Sequence, residues 1–202
     1  SVLGPELVTA WVRARVQLRQ GGVAVVPGLL ALALLVNSHR WHGETPQMLG
    51  FTTRHFGRAL KLLLAPMLLS AALLVGSGYL AGTLNFNERF WLSLAVLPFW
   101  GLTQQYILQA FIYRRLKLAL VDARGPEGEQ ERRTRLAVVL AASLFALVHL
   151  PNWPLMALTL VGGLVWTWVY ERAPNLFALG LSHALMSDIA MSSLPAWLLH
   201  SL

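Results

Sequence analysis

Long apolar segments, separated by short polar loops, constrain this chain more than any other feature. They run over roughly Leu60–Leu80, Phe90–Leu120, Leu136–Leu150, Leu155–Tyr170 and Leu176–Leu199, with a shorter one over Val23–Val36. A helix needs about 20 apolar residues to cross a bilayer, whereas a strand needs about ten. In lipid every backbone polar group must be satisfied within the protein, so a run of this length is helical. The pattern predicts an all-α fold, a multi-pass transmembrane helical bundle of about six spans.

Charged residues are only 12% of the chain, about half the usual share in a soluble domain. Cysteine is absent, which excludes a disulfide framework and a thiolate metal site. The net charge of +7 sits in the loops between apolar runs. It therefore reads as membrane orientation, with the lipid bilayer as partner and no nucleic acid. The sequence is expected to form one membrane domain over residues 1–202. Residues 1–44 hold a peripheral N-terminal helix (5–20, with Arg13, Arg15 and Arg19), a break at Gly21-Gly22 and the first span. Residues 45–200 form the core. Of the 16 basic residues, Arg13, Arg15, Arg19 and Arg89 fall on one side of a six-span arrangement and the other twelve on the opposite side. The second side is expected to be cytoplasmic, and the protein to lie in a bacterial inner membrane. Residues 121–135 read as a solvated charged loop, and His39, His42, His55 and His200 as surface residues.

Polar groups inside a membrane are expensive, so each calls for a reason. Gln104, Gln105 and Gln109 lie in the third span, His149 closes the fourth, and His183, Ser187 and Asp188 lie in the sixth. Gln105 and Gln109 share a helix face, as do Phe145 and His149, and His183 and Ser187. Three helices can thus aim polar groups at one interior point. The alternative is that these side chains only tie helices together. Asp188 reads either as a paired or neutral carboxyl, or as an acid orienting His183 or His149. The Gly162-Gly163 pair reads as a close helix contact.

The run Gln104-Gln105-Tyr-Ile-Leu-Gln109, then Phe145-Ala-Leu-Val-His149, then His183-Ala-Leu-Met-Ser187 resembles the CPBP family of CAAX-protease and bacteriocin-processing intramembrane enzymes. That family carries Glu-Glu-x-x-x-Arg, Phe-x-x-x-His and His-x-x-x-Asn on three membrane helices. Met48-Leu49-Gly50-Phe51 looks like the family's leader to the core. The resemblance implies a glutamate as general base, a first histidine positioning water, and a second histidine with an asparagine stabilising the oxyanion. By position Gln104 and Gln105 take the glutamate places, Gln109 the arginine place, His149 and His183 the histidine places, and Ser187 the asparagine place. A glutamine amide cannot accept the water's proton near neutral pH, and losing a general base typically removes about 10²–10⁴ in rate.

The expected function is accordingly a catalytically degenerate scaffold, or a subunit of a membrane complex with other protein subunits. The alternative is a divergent intramembrane endopeptidase acting on membrane-anchored or prenylated peptides, with His149 or Asp188 as base. No cofactor is required by the sequence. A neutral His149 or His183 offers a ligand to a divalent metal or to the metal of a pigment such as chlorophyll or haem.

Overall fold

The computed structural model describes residues 28–195 and 198. The helix expected over 5–20, the Gly21-Gly22 break, the start of the first span, the tail of the sixth and His200 lie outside the described residues. The chain divides into two compact units, Ser1–Thr45 and Pro46–Leu202.

In the first unit, helix α1 covers residues 28–41. At its end His39 is not a surface residue, contrary to the sequence expectation. Its Nδ1 lies 2.7 Å from Glu44 Oε2, and both side chains are buried. A carboxylate within reach makes burying the ring tolerable. His42 is exposed, and its Nδ1 donates to the Ser38 carbonyl at 2.7 Å.

The second unit is built from helices, with no strand among the described residues. Helix α2 is Phe56–Ala81, and α3 is Glu88–Gln105. A π-helical segment, Tyr106–Tyr113, continues α3 directly into α4, Arg114–Leu120. These three form one unbroken rod. Helix α5 is Glu127–Leu147, α6 is Trp153–Arg172 and α7 is Leu176–Ser193. The second to sixth expected spans each coincide with one of these rods.

Two boundaries differ from the sequence expectation. Residues 127–135 are the first turns of α5, not loop. Glu127 and Glu129 suit the positive end of a helix dipole, and Arg133–Glu129 and Arg135–Glu131 are i,i+4 ion pairs along it. At the other end α5 stops at Leu147, so His149 sits in the turn beyond it. A cis Leu150–Pro151 bond follows. Asn152 then caps α6, its Oδ1 accepting from Leu155 N at 2.9 Å.

The rods approach through glycines. A Cβ on Gly101 would lie 2.5 Å from the Gly180 carbonyl oxygen, so α3 and α7 touch backbone to backbone. Gly163 meets Ala142 of α5, with 3.2 Å to its Cα. That is the close helix contact expected of this glycine. Residues 49–54 are pinned against the turn between α6 and α7. Tyr170 Oη donates to Leu49 O at 2.9 Å, and Asn175 Nδ2 donates to Thr52 O at 2.6 Å and Arg54 O at 2.8 Å. Gly50 has φ 92°, and an added Cβ would press on Tyr170 and Leu176. Glycine is required there on both counts.

Burial in this unit is inverted relative to a soluble protein. Gln105, Gln109, Thr167 and Asn175 are fully enclosed, while Leu68, Leu73, Trp91, Phe99 and many other large apolar side chains are exposed. An outer surface of this kind needs lipid around it. Helices Phe56–Ala81 and Trp153–Arg172 are each long and apolar enough to cross a membrane by themselves, with mean hydropathy of 2.1 and 1.3. The remaining rods carry polar or charged positions that the bundle turns inward or places at the ends. The protein is a multi-pass membrane helical bundle.

Candidate functional site

The polar cluster is centred on His183, on the buried face of α7. Its Nδ1 lies 3.0 Å from Gln105 Nε2, at the point where α3 passes into the π segment. Gln109 Nε2 donates to Gln105 Oε1 at 3.0 Å. With that oxygen used, Gln105 offers the ring its NH2. Nδ1 is then the acceptor, and the imidazole proton sits on Nε2. π-helical turns are rare and gather at functional sites. Here the π segment begins one residue after Gln105 and carries Gln109.

Two aromatic residues frame the ring. The Trp166 indole stacks on His183 with centroids 4.3 Å apart and planes 13° apart. Trp166 Nε1 donates to Ser182 Oγ at 3.0 Å, which fixes the indole's rotation. Gly162 lies one turn before Trp166, and a Cβ there would come within 2.7 Å of the indole. Of the two glycines, Gly163 serves helix packing while Gly162 makes room for the indole on His183. Phe145 bridges the two histidines edge-on, at 5.4 Å from His149 and 6.0 Å from His183.

His149 is half-buried, and its Nδ1 donates to the Phe145 carbonyl at 3.0 Å. This leaves Nε2 as a lone-pair acceptor. The two rings therefore present opposite chemistry: His149 Nε2 can take a proton, and His183 Nε2–H can give a hydrogen bond.

Gln105, Gln109 and His183, joined by hydrogen bonds, and His149, linked to His183 through the Phe145 ring, are four of the seven polar residues singled out from the sequence. Gln104 is only half-buried and lies about 100° around the helix from Gln105. Ser187 is half-buried one turn beyond His183. Asp188 is buried, and its Oδ1 accepts from Ser93 Oγ of α3 at 2.5 Å. It lies five positions after His183, about 140° around the helix. Each histidine's Nδ1 is instead taken by another partner, Gln105 or the Phe145 carbonyl. Among the described residues no group of three or more His, Cys, Asp or Glu is placed to hold a metal ion.

Sequence reasoning passed over Trp166 and Ser93. The signal for Trp166 was a glycine four residues before it, since a large ring folded back along a helix needs a small residue there.

A family model described as type II CAAX prenyl endopeptidase, Rce1-like, matches residues 86–187. The match takes in the whole α3–π–α4 rod, His149, His183 and Ser187, and it ends just before Asp188. No curated protein and no solved structure matches the chain.

Proposed function

The chain belongs to the Rce1-like type II CAAX prenyl endopeptidases of the CPBP family, and on that premise we propose that it is a non-hydrolytic member, serving as a scaffold or subunit in a membrane protein complex. The observation that carries this reading is the buried chain Gln109–Gln105–His183. The family's pattern calls for a carboxylate base where Gln105 stands, and an amide has no useful basicity at neutral pH. Gln105, which stands at the base position, spends its amide on Gln109 of its own rod and on His183 of α7. Such a chain ties α7 to the rod as intramembrane amides do. The exposed apolar flanks of α2 and α3, with Trp91, Phe99 and Trp100 on the latter, offer area to lipid or to neighbouring subunits.

A second reading rests on His149. Its Nδ1–H is held by the Phe145 carbonyl, so Nε2 is poised to accept a proton. In that reading His149 activates water and His183 Nε2–H steadies the developing oxyanion. The substrate would be a membrane-anchored or prenylated peptide.

One experiment separates the two. The protein is reconstituted in liposomes with a prenylated CAAX-type peptide, and cleavage is followed for wild type, His149→Ala and Gln105→Glu. The scaffold reading expects no turnover by wild type, together with migration in a stoichiometric complex when the native membrane is mildly solubilised. Cleavage by wild type that His149→Ala abolishes would overturn it.

A further inference from the structure

The rod from Glu88 to Leu120 carries a threonine and three glutamines midway along its length, Thr103, Gln104, Gln105 and Gln109. Three of these side chains are hydrogen-bonded inside the protein. Thr103 Oγ1 donates to Phe99 O of its own helix at 2.9 Å, and Gln105 bonds both Gln109 and His183. Gln104 is the exception. It is half-buried, and its side-chain amide has no partner among the described residues.

The depth of Gln104 turns that vacancy into a demand. It follows Arg89 by fifteen positions and precedes Arg114 by ten, about 22 Å and 15 Å along the helix. The hydrocarbon core of a bilayer is about 30 Å thick, so the amide lies well inside it and out of reach of headgroup water. Lipid tails offer no hydrogen bond, and an amide at this depth is satisfied by another protein segment.

The surface around it has the spacing of a helix contact. Leu97, Trp100, Gln104 and Ile107 follow one another at steps of three, four and three, and none of them is buried. Such a stripe is the seam along which two parallel helices pack, and a single polar residue in the seam fixes their register. Copies of one membrane protein share an orientation in the bilayer. A two-fold axis along the membrane normal therefore brings each residue near the axis to its own counterpart at the same depth. A primary amide is both donor and acceptor, so two of them satisfy each other. Any other partner would have to supply a matching group at this one depth, whereas a second copy supplies it by symmetry.

We propose that this face of the rod is an interface between two copies of the chain, with the Gln104 amides hydrogen-bonded to each other at its centre. The pairing is independent of whether the site cleaves peptides, since Gln105 and not Gln104 bonds His183.

The chain has no cysteine, so single cysteines serve as reporters. Full-length Leu80→Cys protein, labelled with donor or acceptor dye on the exposed end of α2, is co-reconstituted in liposomes over a range of lipid dilutions. Energy transfer is expected to fit a monomer–dimer equilibrium. Adding Gln104→Leu is expected to weaken association about 5- to 30-fold, and Gln104→Asn, which keeps an amide, to recover most of it. In the same membranes Ile107→Cys is expected to oxidise to a disulfide-linked dimer, and Leu68→Cys on the exposed face of α2 is not. A protein that stays monomeric at every dilution, as it would if a different segment covered this face, overturns the proposal. Gln104→Leu associating as tightly as its parent overturns it equally, and the Ile107→Cys cross-link leaves Gln104 in place and so tests the interface even where Gln104→Leu fails to fold.

Discussion

Replacing Gly101 with alanine tests how tightly the contact between α3 and α7 is set. A Cβ at residue 101 would lie 2.5 Å from the Gly180 carbonyl oxygen and 3.1 Å from Ala184 N. Both neighbours are helix backbone and cannot turn aside as a side chain would. Bringing the first contact out to 3.0 Å requires the helices to part by roughly 0.5 Å, an overpacking that typically costs about 1–3 kcal/mol. Alanine gains about 1 kcal/mol over glycine in helix propensity, so the net expectation is a loss of about 0–2 kcal/mol. Gly76 in α2 supplies the control, because a Cβ there meets nothing within 4 Å. Gly76→Ala keeps the propensity gain alone and is expected to stabilise by up to about 1 kcal/mol. Reversible unfolding in mixed micelles, with wild type and both variants side by side, gives the difference directly. Gly101→Ala as stable as Gly76→Ala would refute the reasoning, since the α3–α7 contact would then be loose enough to absorb a methyl group.

Other substitutions test the remaining contacts in the same unfolding assay. Gln105→Leu strips the partner from His183 Nδ1 and Gln109 Nε2 and is expected to cost about 1–3 kcal/mol. Asn175 caps α7 through Ala178 N at 2.9 Å and holds the carbonyls of Thr52 and Arg54. Asn175→Ala should therefore cost about 2–4 kcal/mol, with Asn175→Asp recovering the cap but not the loop contacts. Lys117→Ala removes an ion pair whose members are 37% and 26% exposed, and at that exposure the expected loss is below about 1 kcal/mol.

The axial layout of this protein was legible in its sequence. Apolar length fixes where a chain can cross a membrane, and α2 to α7 fall on the five later runs. The same reading singled out Gln105, His149 and His183, which the structure places in one cluster, because polar side chains within apolar runs stand out without knowledge of neighbours. It also met Gly163 at a close helix contact. The family pattern was readable for a related reason: three motifs keep their order along the chain however the helices pack.

What the tertiary structure decided is azimuthal. Asp188 follows Ser187 by one residue, yet α7's packing on α3 turns its carboxyl to Ser93. His39 looks like a loop residue until Glu44 is seen to fold back on it. Trp166 is one of eight tryptophans in the sequence, and only the α6–α7 packing lays its ring on His183. The π segment matters most, because it follows Gln105 directly and carries Gln109. Nothing local in Tyr106–Tyr113 announces it. Depth in the membrane follows from counting apolar residues, but direction around each helix depends on where helices cross and where their turns widen. Those are collective results of packing between segments far apart in the chain.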